Sequence, residues 1–72
     1  MSDLHTVCEL VASVFEVRVA PGDEVAEGGI VVLLESMKME IPVLAERSGV
    51  VKEVRVSPGD VVQEGDVLVV LT

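Results

Sequence analysis

The chain carries one pattern twice. Laid over itself at an offset of 37, residues 14–35 meet residues 51–72, and 13 of those 22 pairs are identical. The phrase EVRVAPGDEVAEG returns as EVRVSPGDVVQEG. Two copies are too few for a solenoid, which needs at least about three to bury a continuous core. Two copies in 72 residues point instead to a quasi-twofold arrangement around one shared core, read as a single domain over residues 1–72.

The repeated residues read as strands. Valine supplies 18 of the 72 residues, and its branched Cβ suits a pleated surface. Val17 and Val19 alternate with Glu16 and Arg18, a period of two, and Val54, Val56, Glu53 and Arg55 repeat it. Residues 30–34 and 67–71 are continuous apolar runs, which predicts strands covered on both faces. Pro21-Gly22 and Pro58-Gly59 carry the type II turn signature, with Pro pre-setting φ and Gly accepting φ > 0. Gly28-Gly29 and Gly65-Asp66 punctuate again before the apolar runs. A first strand near residues 6–11 and a counterpart near residues 40–44 bring the total to four per copy. The expected fold is all-β: eight short strands in two sheets, a small sandwich or flattened barrel with quasi-twofold symmetry. Phe15 meets Lys52 across the offset, a break in the repeat that nothing in the sequence explains.

Composition excludes several functions. Thirteen acidic residues against five basic ones give a net charge of −8, and one Phe is the sole aromatic. Nucleic-acid binding wants a basic stripe and stacking platforms, and neither is present. A catalytic pocket of roughly 300 Å³ or more asks much of so small a domain. One Cys makes no intrachain disulfide, and His5 and Cys8 lack a second ligand pair for a metal. The longest apolar run, five residues, is far below the roughly 20 that span a bilayer. MSDLHT shows neither a basic n-region nor an apolar h-region. The expectation is a cytoplasmic, soluble chain, non-enzymatic on its own, not a membrane protein, and monomeric when free.

The offset also locates the joint between the copies, at residues 36–40. Under a twofold this linker is a tip opposite the chain termini. Tight hairpins favour Asn-Gly or Asp-Gly, because type I′ turns need φ > 0 at both central residues. Here the centre offers Met37 and Lys38, in a chain that uses Pro-Gly correctly elsewhere. Local inconsistency in an otherwise consistent sequence is where function is expected.

The tip segment Glu35-Ser36-Met37-Lys38-Met39-Glu40 resembles the biotin-attachment motif of biotin-dependent carboxylases, usually written EAMKM, with Ser36 in place of the common Ala. The resemblance spans nearly the whole chain, including both PGD turns, and is similar to stand-alone biotin/lipoyl attachment proteins of the biotin carboxyl carrier family. It implies a barrel-sandwich hybrid, a flattened barrel of two four-stranded antiparallel sheets with the modified lysine on a hairpin tip. It implies covalent biotin on Lys38, attached by a biotin protein ligase, with Met37, Met39, Glu35 and Ser36 as the flanking motif. It further implies a swinging arm carrying carboxyl groups between biotin carboxylase and carboxyltransferase subunits of an acyl-CoA carboxylase. The carrier then contributes proximity, while the cofactor carries the chemistry. Some carriers insert a protruding thumb between the second and third strands; residues 20–24 are too few for one, so the arm is expected to be mobile.

Plainer readings stand beside this one. A lone lysine is most often a solvated surface group, and two methionines are most often core gap-fillers. The acidic residues read as a solvated face that keeps a valine-rich domain soluble, and Arg18 and Arg55 as partners of carboxylates across strands. His5 and Cys8 read as bystanders. Two rival functions share the fold: a lipoyl carrier, whose motif resembles DKA or DKV without the methionine pair, and a regulatory binding domain free of cofactor.

Overall fold

In a computed structural model that describes residues 3–72, the chain forms eight strands. They are β1 (Leu4–Val7), β2 (Ala12–Val17), β3 (Glu24–Val25), β4 (Ile30–Ser36), β5 (Met39–Leu44), β6 (Gly49–Val54), β7 (Val61–Val62) and β8 (Val67–Leu71). Two four-stranded antiparallel sheets result, ordered β1-β8-β6-β3 and β5-β4-β2-β7. Each sheet takes its central pair from one copy of the repeat and its edge strands from the other. The expected all-β sandwich is therefore present, and its symmetry is of an exchanged kind: neither copy builds a sheet alone.

The turns repeat the exchange. Gly28 N donates to Ala45 O at 2.9 Å, and Gly65 N donates to Cys8 O at 2.9 Å. Gly22 N reaches Val51 O and Gly59 N reaches Val14 O, both at 2.8 Å. Every one of these bonds joins a turn of one copy to the other copy, at a strand residue for Val51 and Val14 and at the residue just past a strand for Ala45 and Cys8. Gly22 and Gly59 both sit at φ 95, closed by bonds from Asp23 N to Ala20 O and from Asp60 N to Ser57 O, as the type II reading requires. Asp23 and Asp60 tie the same turns by accepting from Ala20 N and Ser57 N.

The core lies between the sheets. Cys8, Val31, Val32, Leu34, Val51, Leu68, Val69 and Leu71 are its fully buried members, with Val14 close behind. The apolar runs are buried over residues 31–34 and 68–71, while Ile30 is exposed and Val67 half-buried, and the burial is not that of parallel sheets. Leu33 and Val70 lie on the outer faces, apart from the core cluster. Their cross-strand neighbours flank them: Pro42 and Glu16 beside Leu33, His5 and Glu53 beside Val70.

Three details differ from the sequence reading. The first strand runs Leu4–Val7 rather than residues 6–11, because at Cys8 the backbone leaves the ladder to bond the β7–β8 turn through Gly65 and Asp66. Arg18 and Arg55, each just past the end of β2 or β6, pair with Glu16 and Glu53 two residues back along the chain, and not across strands. Residues two apart on an extended chain share a face, which makes this pairing local. Third, the Phe15–Lys52 break has a physical reason. Register shifts between Val14 and Glu16 in β2, and between Val51 and Glu53 in β6. Phe15 and Lys52 are thus the extra residues of equivalent β-bulges, exposed on the outer faces, where the core places no demand on their identity.

Candidate functional site

The β4–β5 hairpin carries the sequence-predicted site. Its register runs Leu33↔Pro42, Leu34↔Ile41, Glu35↔Glu40 and Ser36↔Met39, which leaves a two-residue loop of Met37 and Lys38. Their φ angles are 52 and 66, both in the left-handed region that a type I′ turn demands and that non-glycine residues avoid. They are the sole non-glycine residues with positive φ among those described. Such conformations cost on the order of 1 kcal/mol or more each and persist where surrounding structure overrides them. Here the override is the ladder on both sides, with Leu34 wholly buried two pairs back.

The consequence is presentation. Met37 is 92% exposed and Met39 66%. Glu35, Lys38 and Glu40 are exposed as well, and Ser36 is half-buried. No hydrogen bond or ion pair holds the Lys38 ammonium among the described residues. The structure thus brings Glu35, Ser36, Met37, Lys38, Met39 and Glu40 together as one projecting tip. Met1, the offset partner of Lys38, lies outside the described residues. An open groove of about 460 Å³, lined by Arg55, Asp60, Val62 and Asp66 among others, includes none of residues 35–40. An attachment point needs reach, not a cavity.

The remaining polar groups lie elsewhere. His5 is exposed on β1, and Cys8 is buried with its Sγ donating to Leu10 O at 2.8 Å. Lys52 donates to Asp3 at 2.7 Å, which holds the Asp3 carboxyl below its ordinary value and lifts Lys52 above its own. One surface escaped the sequence reading: the outer face of the sheet that bears the tip, with Phe15, Pro42 and Val61 exposed on it. The offset comparison held the signal at Phe15, but side-chain direction at a bulge is invisible without the register.

An exposed lysine on a strained hairpin tip of a two-copy sandwich, outside the lining of a smaller cavity of about 180 Å³ that reaches Leu34 and Ile41, is the arrangement of an attachment domain. The chain belongs to the family described as biotin-requiring enzyme (biotin/lipoyl domains), whose model matches residues 4–71. The domain of this family is a carrier of the cofactor. Among relatives, the chain is 63% identical over 43 residues to the biotinylated protein TB7.3 homolog of Mycobacterium leprae, covering 60% of this chain and 61% of that one. Among solved structures, it resembles the urea carboxylase of Kluyveromyces lactis with a TM-score of 0.93 at 30% identity, covering all of this chain and 6% of the enzyme. A single-chain, multi-domain long-chain acyl-CoA carboxylase follows at 0.91 and 34%, over 97% of this chain and 7% of the other. The lipoyl domain of the 2-oxoglutarate dehydrogenase complex from Azotobacter vinelandii gives 0.74 and 32%, over 97% and 94%. The chain thus spans about three-fifths of the curated relative and a small part of each carboxylase.

Proposed function

We propose that this protein is a biotin carboxyl carrier, biotinylated on Lys38, that serves a multi-subunit carboxylase in the cytoplasm. One observation supports it above the others: Lys38 stands at φ 66 on a two-residue turn between exposed Met37 and Met39. The residues present fit the group. The ammonium is exposed and unpaired, so conjugation breaks no contact of the fold.

The chain's own part is to hold out an amine. A protonated amine has no lone pair to attack with, so a partner site must desolvate or deprotonate it. A biotin protein ligase does so on this reading. The Nζ lone pair attacks the carbonyl of a biotinyl adenylate, an amide forms, AMP leaves and the amine loses its proton. The rigid ladder supplies position, and Met37 and Met39 offer soft, adaptable surface to successive partners. Once attached, biotin supplies a ureido nitrogen that accepts and releases a carboxyl group. The sandwich keeps that arm tethered within reach of both a biotin carboxylase and a carboxyltransferase, raising its local concentration at each. An acyl-CoA acceptor is favoured by the acyl-CoA carboxylase neighbour, while the urea carboxylase neighbour marks the competing choice. A free, buried Cys8 suits a reducing compartment.

The lipoyl domain among the neighbours favours a second reading, lipoate on the same lysine. Intact mass of the protein purified from its host separates the two. The carrier reading expects one biotin per chain, lost in Lys38→Arg. A lipoyl mass, no adduct, or a label retained in Lys38→Arg overturns it. Avidin capture of the biotinylated protein, with co-purifying subunits identified, then names the carboxylase.

A further inference from the structure

The offset that relates the two copies also relates the two outer faces of the sandwich, position by position. On the tip-bearing sheet the outer face carries Pro42, Leu33 and the Phe15–Glu16 bulge in one row, and Glu40, Glu35, Ser13 and Val61 in the next. On the other sheet the equivalent positions are His5, Val70 and Lys52–Glu53, then Asp3, Thr72, Val50 and Glu24. The backbone is the same and the chemistry is not. Lys52 becomes Phe15, His5 becomes Pro42 and Glu24 becomes Val61. Two positions run the other way, with Ser13 for Val50 and Glu35 for Thr72. Phe15 is 50% exposed and Val61 72%, so neither serves the core. At the tip end of this face Glu35 and Glu40 stand opposite each other, and neither is in an ion pair among the described residues.

An apolar centre beside unneutralised carboxylates complements a protein surface with a small apolar patch and a Lys/Arg rim. The carrier chemistry says which protein. A carboxylase meets the chain already conjugated, and has the cofactor itself to grip. A ligase must find one lysine on a bare chain and pass over the other, Lys52, which lies on the twin face. It needs a protein surface that differs between the faces, adjoining Lys38 and absent around Lys52.

We propose that the outer face of the β5-β4-β2-β7 sheet, centred on Phe15 with Pro42 and Val61, is the surface on which the biotin protein ligase docks to reach Lys38. This rests on the carrier reading above.

The twofold supplies a test that leaves composition and charge untouched. Exchanging the two bulge residues, in a Phe15→Lys/Lys52→Phe variant, puts on each face the residue its twin already accommodates. Initial rates of biotin incorporation by a biotin protein ligase, with ATP, free biotin and increasing unconjugated protein, give KM and kcat. The exchange is expected to raise KM about tenfold with kcat within about twofold, while Lys52→Phe alone leaves both unchanged. Phe15→Ala, which only shortens the side chain, keeps the measurement informative if the exchange variant melts early, and is expected to raise KM in the same direction. Unchanged KM in the Phe15 variants overturns docking on this face, as does an equal rise in Lys52→Phe. Normal ligation with impaired carboxylase turnover assigns the face to the carboxylase and overturns it too. A wild type that no ligase labels overturns the carrier reading itself, a result distinct from all of these.

Discussion

Glu35 and Glu40 face each other directly across the β4–β5 ladder, one pair back from the Ser36–Met39 pair that closes the hairpin. Side chains opposed in this way have Cβ atoms roughly 4.5–5.5 Å apart, where like charges repel. The tip is thus held out against a local electrostatic penalty that a basic partner would relieve. Glu40→Gln is expected to raise the melting temperature by about 2 °C in low salt. The gain should vanish in 0.5 M salt, where screening removes the repulsion from the wild type as well. Melting curves at the two ionic strengths check this; an equal gain in both would leave repulsion without a role.

The left-handed turn gives a second expectation. Met37 at φ 52 occupies a conformation that glycine adopts without a steric penalty. Met37→Gly should therefore stabilise the fold by about 0.5–1 kcal/mol, after allowing for glycine's greater freedom in the unfolded chain. Urea midpoints measure it. A loss of stability would mean that the methionine side chain makes a contact worth more than the strain.

Leu34 and Leu71 are equivalent across the offset and both 0% exposed. Truncating either to Ala removes a core side chain at the same place in the two halves, and each should cost about 2–5 kcal/mol. The informative quantity is the difference. The quasi-twofold predicts that the two losses agree within about 1 kcal/mol, by urea denaturation of both variants. A one-sided collapse would show that one copy carries the stability.

Much of this was legible from residues alone, for identifiable reasons. Pro-Gly pairs announce their turns because Pro fixes a negative φ and Gly alone adopts a positive one without steric cost, and Gly22 and Gly59 take the angles expected. Valine alternation announced strands, and the offset placed the hairpin tip. The first strand was misplaced because Cys8, Glu9, Leu10 and Val11 continue a strand-like composition after the backbone has turned away to bond Asp66. The arginine pairing was misplaced because residues two apart share a face in any strand, and sequence spacing alone does not say whether the nearer carboxylate lies along the chain or across it. The apolar outer face needed the register, since a bulge reverses the alternation on which face assignments rest.

The Asp3–Lys52 pair makes a claim about pH. Its ion pair, 2.7 Å between Nζ and a carboxylate oxygen, lowers the Asp3 pKa and raises that of Lys52. Asp3 therefore contributes stability above its ordinary range, lost as pH falls through the lowered folded value. Lys52 contributes below its ordinary range, lost as pH rises through the raised one. Both groups are exposed, so the effect on unfolding is small. It is measurable at the carboxyl: NMR titration should find the Asp3 midpoint higher in Lys52→Gln than in wild type. Identical midpoints would mean that the pair does not persist in solution.

The exchanged strands carry a consequence for where a load can be placed. Each half supplies the edges of the other half's sheet, so two separate copies of this repeat would assemble the same sandwich as a dimer. In such a dimer the Met37-Lys38 segment would be two loose chain ends, and a lysine there would point nowhere in particular. In the single chain those ends are one closed loop with imposed angles. Lys38 thus stands on the weld, where the shape of the chain exists only because the two halves are joined.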